Sequence, residues 1–248
     1  MSGSKTNIVN DIENAFYRDG YFLAKNIINS EFDSRSIYNI SKNTYKIIDG
    51  LLSLFVDKCN NENKNIACKQ GCAWCCHQTV MVLPFEVFYI INYLYTKISF
   101  EDIKKIKDRA IKKDEKTSKM LAMKYINYKE KCPFLENESC LIYEYRPMAC
   151  RTYLSSAVDS CVHEFRNPKK VNIFPALYDL PLKAGRMMNE GIAKALSEKD
   201  INVEELKFES ALKQVFEKEI TIDEWIQGKK TFFKKPLTKK EIKYFNKI

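Results

Sequence analysis

Four cysteines fall within nine positions at residues 68–76, which read CKQGCAWCC. Five more cysteines are spread over the rest of the 248 residues, and four of them follow this cluster, at positions 132, 140, 150 and 161. Such crowding is improbable by chance, and thiolate sulfur is a soft ligand that suits zinc(II) and iron–sulfur clusters. The spacing therefore predicts a site that binds metal through sulfur.

The local conformation of residues 68–76 decides which of their thiols can bind the same metal atom. If the segment is helical, Cys68, Cys72 and either Cys75 or Cys76 lie on one face, because residues four and seven or eight apart align. The adjacent Cys75 and Cys76 then point about 100° apart, so they need not bind the same metal atom.

A second group of thiols lies further along the chain. The segment CPFLENESCLIY has a polar centre between apolar flanks, which predicts a hairpin that brings Cys132 and Cys140 together. Cys150 follows Pro147 in a predicted short turn or helix. Neither segment alone easily provides four thiolates to one metal, so we expect both to contribute to one site, or to two.

Three other side chains are weaker candidates. Cys59 lies at the apolar end of a predicted helix, where a cysteine is usually a small core residue. His77 and His163 are the only histidines, and each lies near a cysteine, so either could complete the site. A lone histidine, however, is more often a hydrogen-bonding or surface residue.

The composition is that of a globular protein. Apolar residues make up 45% of the chain and charged residues 29%, which predicts a packed core. The sequence contains neither a membrane-spanning stretch nor the features of a secretory signal. We therefore expect a cytoplasmic protein, in which clustered cysteines more often bind metal or do redox chemistry than form disulfides.

The net charge of +9 is concentrated near the C-terminus. Residues 229–248 contain eight lysines and one acid, so the rest of the chain is close to neutral. This distribution argues against a general nucleic-acid-binding surface. It leaves the tail as a candidate contact for an anionic surface, although solvated lysine-rich ends are commoner.

Hydrophobic periodicity and the scarcity of glycine and proline predict a mainly α protein. We expect a single helical domain with a small hairpin or irregular cysteine-rich metal site. The predicted elements are, in chain order, a partly helical region over 1–30, a helix over 36–57, a brief extended piece before Pro84, a buried helix over 84–98, a charged helix over 99–129, an irregular region over 152–183, helices over 185–198 and 203–218, and short helices beginning at Thr221 and Thr238.

We divide the chain into three parts on this basis. Residues 1–66 form an N-terminal helical region, residues 67–165 a cysteine-cluster metal-binding domain, and residues 166–248 a C-terminal helical extension with the basic tail.

The cysteine pattern resembles a known family. The order C-x3-C-x2-C-C, an apolar strand, a helix bearing Glu86, and then CPFL…CLIYEYRPMACRTY is similar to the YkgJ-type cysteine-cluster family. That family is also described as a zinc- or iron-chelating domain and includes the domain of flagellin lysine N-methylases. The similarity spans about residues 68–153. It implies that the metal-site positions are Cys68, Cys72, Cys75, Cys76, Cys132, Cys140 and Cys150, with Cys161 as a candidate eighth.

Two arginines, Arg146 and Arg151, bracket Cys150 within the same string and are candidate cofactor-binding residues. Guanidinium groups near thiolates offset the negative charge of a cluster or of a four-thiolate zinc site. They could equally bind a carboxylate or phosphate of a substrate, or form an ion pair with Glu144 or Glu164.

Three functional classes remain open from the sequence. The first is a metal-binding protein that holds a 4Fe–4S cluster, zinc, or both. The second, a protein lysine N-methyltransferase that uses S-adenosylmethionine, is implied by the family resemblance alone. Residues 68–75 do have the CxxxCxxC spacing of radical enzymes, but the repeated strand–helix units of their barrel are not evident.

The third class is a zinc-stabilised nucleic-acid-binding protein, which would use the basic tail and its aromatics (Phe232, Phe233, Tyr244 and Phe245). Aromatic residues at helical spacing are more often packing residues, so this class is the least favoured. For the metal-binding class we expect an unidentified protein or small-molecule partner and no membrane partner.

Overall fold

The computed structural model describes residues 2–30, 32–69, 71–168 and 173–232, and most of these residues are helical. The two longest helices come first, α1 (Ser2–Ser30) and α2 (Ser34–Asn61). The other helices of the described ranges are α3 (Pro84–Lys97), α4 (Phe100–Thr117), α5 (Ala122–Ile126), α6 (Met148–Arg151), α7 (Val158–Arg166), α8 (Asp179–Ser197), α9 (Phe208–Lys218) and α10 (Ile222–Ile226). The prediction of a mainly α domain is confirmed.

Extended structure is limited to short antiparallel pairs in the described part of the chain. Strand β1 (Met81–Val82) pairs with β4 (Leu206–Lys207), and β2 (Leu135–Glu136) pairs with β3 (Ser139–Cys140). The β2–β3 pair is the predicted hairpin. Its two turn residues have positive φ angles of 45° and 57°, the left-handed conformation that two-residue hairpin turns require.

Local signals explain where several helices begin. Asp33 caps α2 by accepting a hydrogen bond from the backbone N–H of Ser36 at 2.7 Å. Pro84 is the first residue of α3, where its missing N–H costs nothing. Ser99 caps α4 and Thr221 caps α10, each by accepting from the backbone N–H three residues on. These starts agree with the predicted ones.

The core surrounds α3, which is buried from Pro84 to Ile91 and again at Leu94. It packs against α2, α4 and α9. The main cluster of buried apolar side chains includes Ile40 of α2, Phe134 and Leu212 of α9, so it draws on all three predicted parts of the chain.

Helices α1 and α8 approach each other so closely that only glycine fits at two contact points. A Cβ at Gly20 would lie 2.2 Å from the carbonyl oxygen of Met188. A Cβ at Gly191 would lie 2.0 Å from the carbonyl oxygen of Tyr17. Because the obstructing atoms belong to helix backbones, a side chain there would push the helices apart.

The prediction that residues 152–183 are irregular is wrong in two places. It contains α7, which packs against the preceding cysteine segment through Phe165, and it contains the start of α8. Pro181 suggested a break, but it lies in the first turn of α8, where proline is tolerated.

Two other boundaries also differ from the prediction. The charged helix ends at Thr117 rather than near 129, and a turn separates it from α5. The Thr117 hydroxyl donates to Glu209 at 2.6 Å, a contact between distant parts of the chain, and it also lies 3.0 Å from the carbonyl oxygen of Lys113. The helix predicted from 203 begins at Phe208, because β4 pairs with β1 first.

The short helix predicted at Thr238 and the aromatics Phe233, Tyr244 and Phe245 lie outside the described residues. Phe232 is buried, and its ring centroid is 5.6 Å from that of Phe88 in the core. Among the described helices, none combines the length and apolar character that a membrane crossing requires.

We predict opposite effects of one substitution at two glycines. Gly191→Ala should destabilise the fold by about 1–3 kcal/mol, because the added methyl collides with the α1 backbone. Gly50→Ala, on the exposed side of α2 with no atom within 4 Å of the new Cβ, should stabilise it by roughly 0.5–1 kcal/mol. Urea unfolding of both variants measures these changes; equal stability of the two would contradict the close packing of α1 on α8.

Candidate metal centre

Seven of the nine cysteines line a single cavity of about 1450 Å3. They come from stretches of the chain that lie far apart in sequence: the 68–76 segment, the residues around the β2–β3 hairpin, and α6. The cavity-lining cysteines are Cys68, Cys72, Cys75, Cys76, Cys132, Cys140 and Cys150.

The 68–76 segment is mostly irregular, so the helical alignment considered for its thiols does not apply. The helical part of its described residues is a 3-10 turn, Trp74–His77. Gly71 has a φ of 82°, and the backbone N–H of Cys72 donates to the carbonyl of Lys69 at 3.0 Å. The thiols of this segment are therefore positioned by turns and by tertiary contacts.

Backbone hydrogen bonds connect this segment to distant residues. The Cys68 sulfur accepts a hydrogen bond from the backbone N–H of Ser155 at 3.2 Å, and Ala67 donates to the Ser155 carbonyl at 2.9 Å. The backbone N–H of Cys132 donates to the carbonyl of Cys76 at 2.7 Å. The hairpin that follows places Cys140 opposite Leu135. These bonds hold thiols from both predicted groups around one space.

Cys150 is positioned through a buried carboxylate, Glu86 of α3, which is 1% exposed. Its Oε1 accepts from the backbone N–H of Met148 at 2.7 Å and from the Tyr45 hydroxyl at 2.9 Å. Its Oε2 accepts from the backbone N–H of Leu83 at 2.9 Å. Burial raises the pKa of Glu86, and these hydrogen bonds oppose the rise. The carboxylate thus ties the first turn of α6, which carries Cys150, to α2 and α3.

Arg151 is a buried structural residue at the other end of α6. Its Nη1 donates to both carboxylate oxygens of Asp49 at 2.6 Å, and its Nη2 donates to the carbonyl of Glu144 at 2.5 Å. Its guanidinium carbon lies 4.3 Å from the centroid of the Tyr45 ring. The ion-pair partner is therefore Asp49, and not the carboxylate of Glu144 or Glu164 as the sequence suggested.

Arg146 has a different environment on the cavity wall. Its Nη1 donates to the Tyr143 carbonyl at 2.9 Å, and its guanidinium lies 3.7 Å from the centroid of the Tyr143 ring. Within the described residues no carboxylate lies at ion-pair distance from it. The alternative of an ion pair with Glu144 or Glu164 is therefore not realised here either.

The thiols differ in how readily they ionise. Burial raises the pKa of Cys132 to about 12 and also raises the pKa values of Cys68, Cys140 and Cys150. The pKa of Cys75 is lowered to about 7, chiefly by a hydrogen bond with the Cys76 side chain, whose own pKa rises for the same reason. Since metals bind thiolates, metal binding must release protons from the buried thiols.

The donor set fits the metals that the sequence indicates. Zinc and iron–sulfur clusters are both held by all-thiolate sites, and seven thiols share this cavity. The thiols are spread along its wall: in the described ranges, no three cysteine, histidine or carboxylate side chains form a group that could hold a metal ion as they lie.

The remaining candidates lie away from the cavity wall. Cys161 is buried on α7 and interacts electrostatically with Cys68. His77 places Nδ1 3.1 Å from the Ala73 carbonyl oxygen and packs its ring on Phe165, while His163 is exposed. Cys59 is buried near the end of α2.

One polar network beside the centre was missed by the sequence analysis. Lys129 and Glu164 form an ion pair whose side chains are 7% and 15% exposed. The Gln78 amide donates to Glu164 at 3.2 Å and to the Tyr153 hydroxyl at 2.7 Å. This network fastens α7 to the cysteine segment. Its members are up to 86 positions apart, so no local pattern signals it.

We predict that Glu86→Gln weakens the centre as well as the fold. In the variant, an amide nitrogen replaces one of the two carboxylate oxygens of Glu86. This nitrogen would face N–H or O–H donors and could not accept their hydrogen bonds, which should cost about 1–3 kcal/mol in unfolding free energy. Looser anchoring of α6 should also lower the metal content of purified protein. Glu101→Gln, on the exposed first turn of α4, is the matched control and should change neither quantity. Unchanged stability in Glu86→Gln would rule out the anchoring role.

Comparison with known proteins finds a match, which covers the cysteine-rich part of the chain. Residues 67–176, less than half of the chain, match the model of the CxxCxxCC family, whose description reads "Putative zinc- or iron-chelating domain". No curated protein and no solved structure gives a significant match. The matched segment contains all eight cysteines from Cys68 to Cys161. Residues 67–176 are therefore similar to the CxxCxxCC domain, which is described as zinc- or iron-chelating.

Proposed function

We propose that this protein binds an iron–sulfur cluster of the 4Fe–4S type through the thiolates of the cavity. The observation that carries the proposal is that seven thiols, contributed by separate segments, line one space. Four of them suffice for a 4Fe–4S cluster. The protein's own part is to bring these thiols together and to shield the site with the apolar core.

The size of the cavity accommodates a cluster as well as a single zinc ion. Zinc–sulfur bonds of roughly 2.3 Å place the sulfurs of a tetrahedral site only about 3.8 Å apart. A cluster holds its thiolates farther apart, because iron and sulfide atoms lie between them. The seven thiols line a cavity of about 1450 Å3, which leaves room for the second arrangement.

The clustering of the cysteines supports a reducing location. Four cysteines fall within residues 68–76, and seven line one cavity. In an oxidising compartment such clusters tend to form disulfides, so we propose that the protein works in the cytoplasm.

The other two functional classes gain no specific support. The sheets in the described residues are two-stranded and antiparallel, which differs from the repeated strand–helix units of a radical-enzyme barrel. Of the tail aromatics, Phe232 packs in the core, as the packing interpretation expects.

Anaerobic purification tests the proposal directly. We expect brown protein with broad visible absorbance, and iron and acid-labile sulfide in equal amounts. Colourless protein with stoichiometric zinc would overturn the cluster proposal and would leave a thiolate zinc site in its place.

We predict that two cysteine-to-alanine variants separate ligands from core cysteines. Cys72→Ala should lose most of the bound metal and several kcal/mol of stability, because losing a ligand forfeits binding energy coupled to folding. Cys59→Ala, at a buried position away from the cavity, should keep the metal-to-protein ratio of the wild type. Elemental analysis and melting curves measure both. Equal metal content in the two variants would contradict the assignment of Cys72.

A further inference from the structure

Three arginines line the cavity, and their charges are balanced differently. Arg151 is neutralised by Asp49, and Arg186 forms an ion pair with Glu190 at 2.8 Å. For Arg146, no carboxylate of the described residues lies at ion-pair distance. Arg146 therefore brings an uncompensated positive charge to the wall that carries the thiols. Lys69 also lines the cavity, but it is exposed, so water and salt screen its charge.

The Arg146 side chain is held in place by neutral groups. The Tyr143 carbonyl accepts a hydrogen bond from it, and the Tyr143 ring lies against the guanidinium plane. Neither contact cancels the charge. The guanidinium is thus held in a fixed orientation while its positive charge remains able to interact with other groups in the cavity.

The charge of Arg146 acts on thiols from three separate segments. Arg146 lines the cavity together with these thiols, and it interacts electrostatically with Cys140 and Cys150. It interacts in the same way with Cys75. A fixed positive charge beside these sulfurs stabilises negative charge on them.

We propose that Arg146 is the counter-cation of the metal centre and that it raises the reduction potential of the iron–sulfur cluster. This inference rests on the proposed function. A thiolate-ligated cluster is anionic, and reduction adds one further negative charge. A fixed positive charge close by stabilises the reduced form more than the oxidised form. Arg146 keeps its protons throughout, so it acts on the potential only through its charge.

Carboxylates on the same wall oppose Arg146 only weakly. Glu138, Glu144 and Glu205 also line the cavity, but all three residues are exposed, so water and salt screen their charges. Glu190 is paired with Arg186, and the charge of the buried Glu86 is offset by the three donors that bind it.

A redox titration of anaerobically purified protein tests the proposal. Dithionite supplies single electrons and is oxidised as the cluster is reduced, and the visible spectrum reports the reduced fraction. In Arg146→Gln the equilibrium constant for reduction should fall about tenfold, which is ~59 mV for one electron. The control, Arg186→Gln, removes an exposed arginine of the same cavity and should leave the potential close to that of the wild type.

Arg146→Lys separates charge from structure. It keeps the positive charge but loses the planar guanidinium, so its potential should stay near the wild-type value.

An unchanged potential in Arg146→Gln would overturn the inference, and so would a fall in Arg146→Lys as large as expected for glutamine. Loss of the cluster in both variants would make Arg146 a structural residue and would also overturn it. If wild-type protein has no visible cluster spectrum, the proposed function itself fails; a cluster with an unshifted potential defeats the Arg146 inference alone.

Discussion

The buried carboxylate of Glu86 is the interaction on which the arrangement of the centre depends. A carboxylate deprived of water is costly unless donors replace the water, and here two backbone N–H groups and the Tyr45 hydroxyl do so. One N–H comes from the start of α3 and the other from the start of α6, so two helix N-termini meet at one anion. At the other end of α6, Arg151 stacks on the Tyr45 ring and pairs with Asp49, so it provides a second link between α6 and α2. Cys150 lies between these two anchors.

The cavity is built by more of the chain than the segment that matches the family model. Residues 67–176 supply every thiol on the wall, but α8 and the segment before α9 complete the enclosure with residues such as Leu182, Asn189 and Val203. Gly185 lets α8 lie directly on α6: a Cβ there would be 2.6 Å from the Thr152 side chain and 2.8 Å from that of Met148. The flanking helices therefore shape the space in which the thiols lie.

Elements with local start signals were predictable, and those defined by distant partners were not. The starts of α2, α3 and α4 follow from a capping side chain or a proline within the first turn. By contrast, α7 is stabilised by the packing of Phe165 on Trp74 and His77, and β4 exists only as the partner of β1. The conformation of residues 68–76 belongs to the second kind, since its bonding partners lie near residues 132 and 155.

The sequence by itself determined the chemistry of the centre: soft thiol donors in a family-specific order, in a mainly α chain. Residue type and spacing are local properties, and they suffice to indicate a sulfur-bound metal. Only the tertiary structure decided which groups share a space and what each arginine does. Arg151 is neutralised by Asp49, 102 positions away, whereas Arg146, five residues earlier, has no such partner among the described residues. Two arginines in one motif differ in role because burial and partners are set by the packing of distant helices.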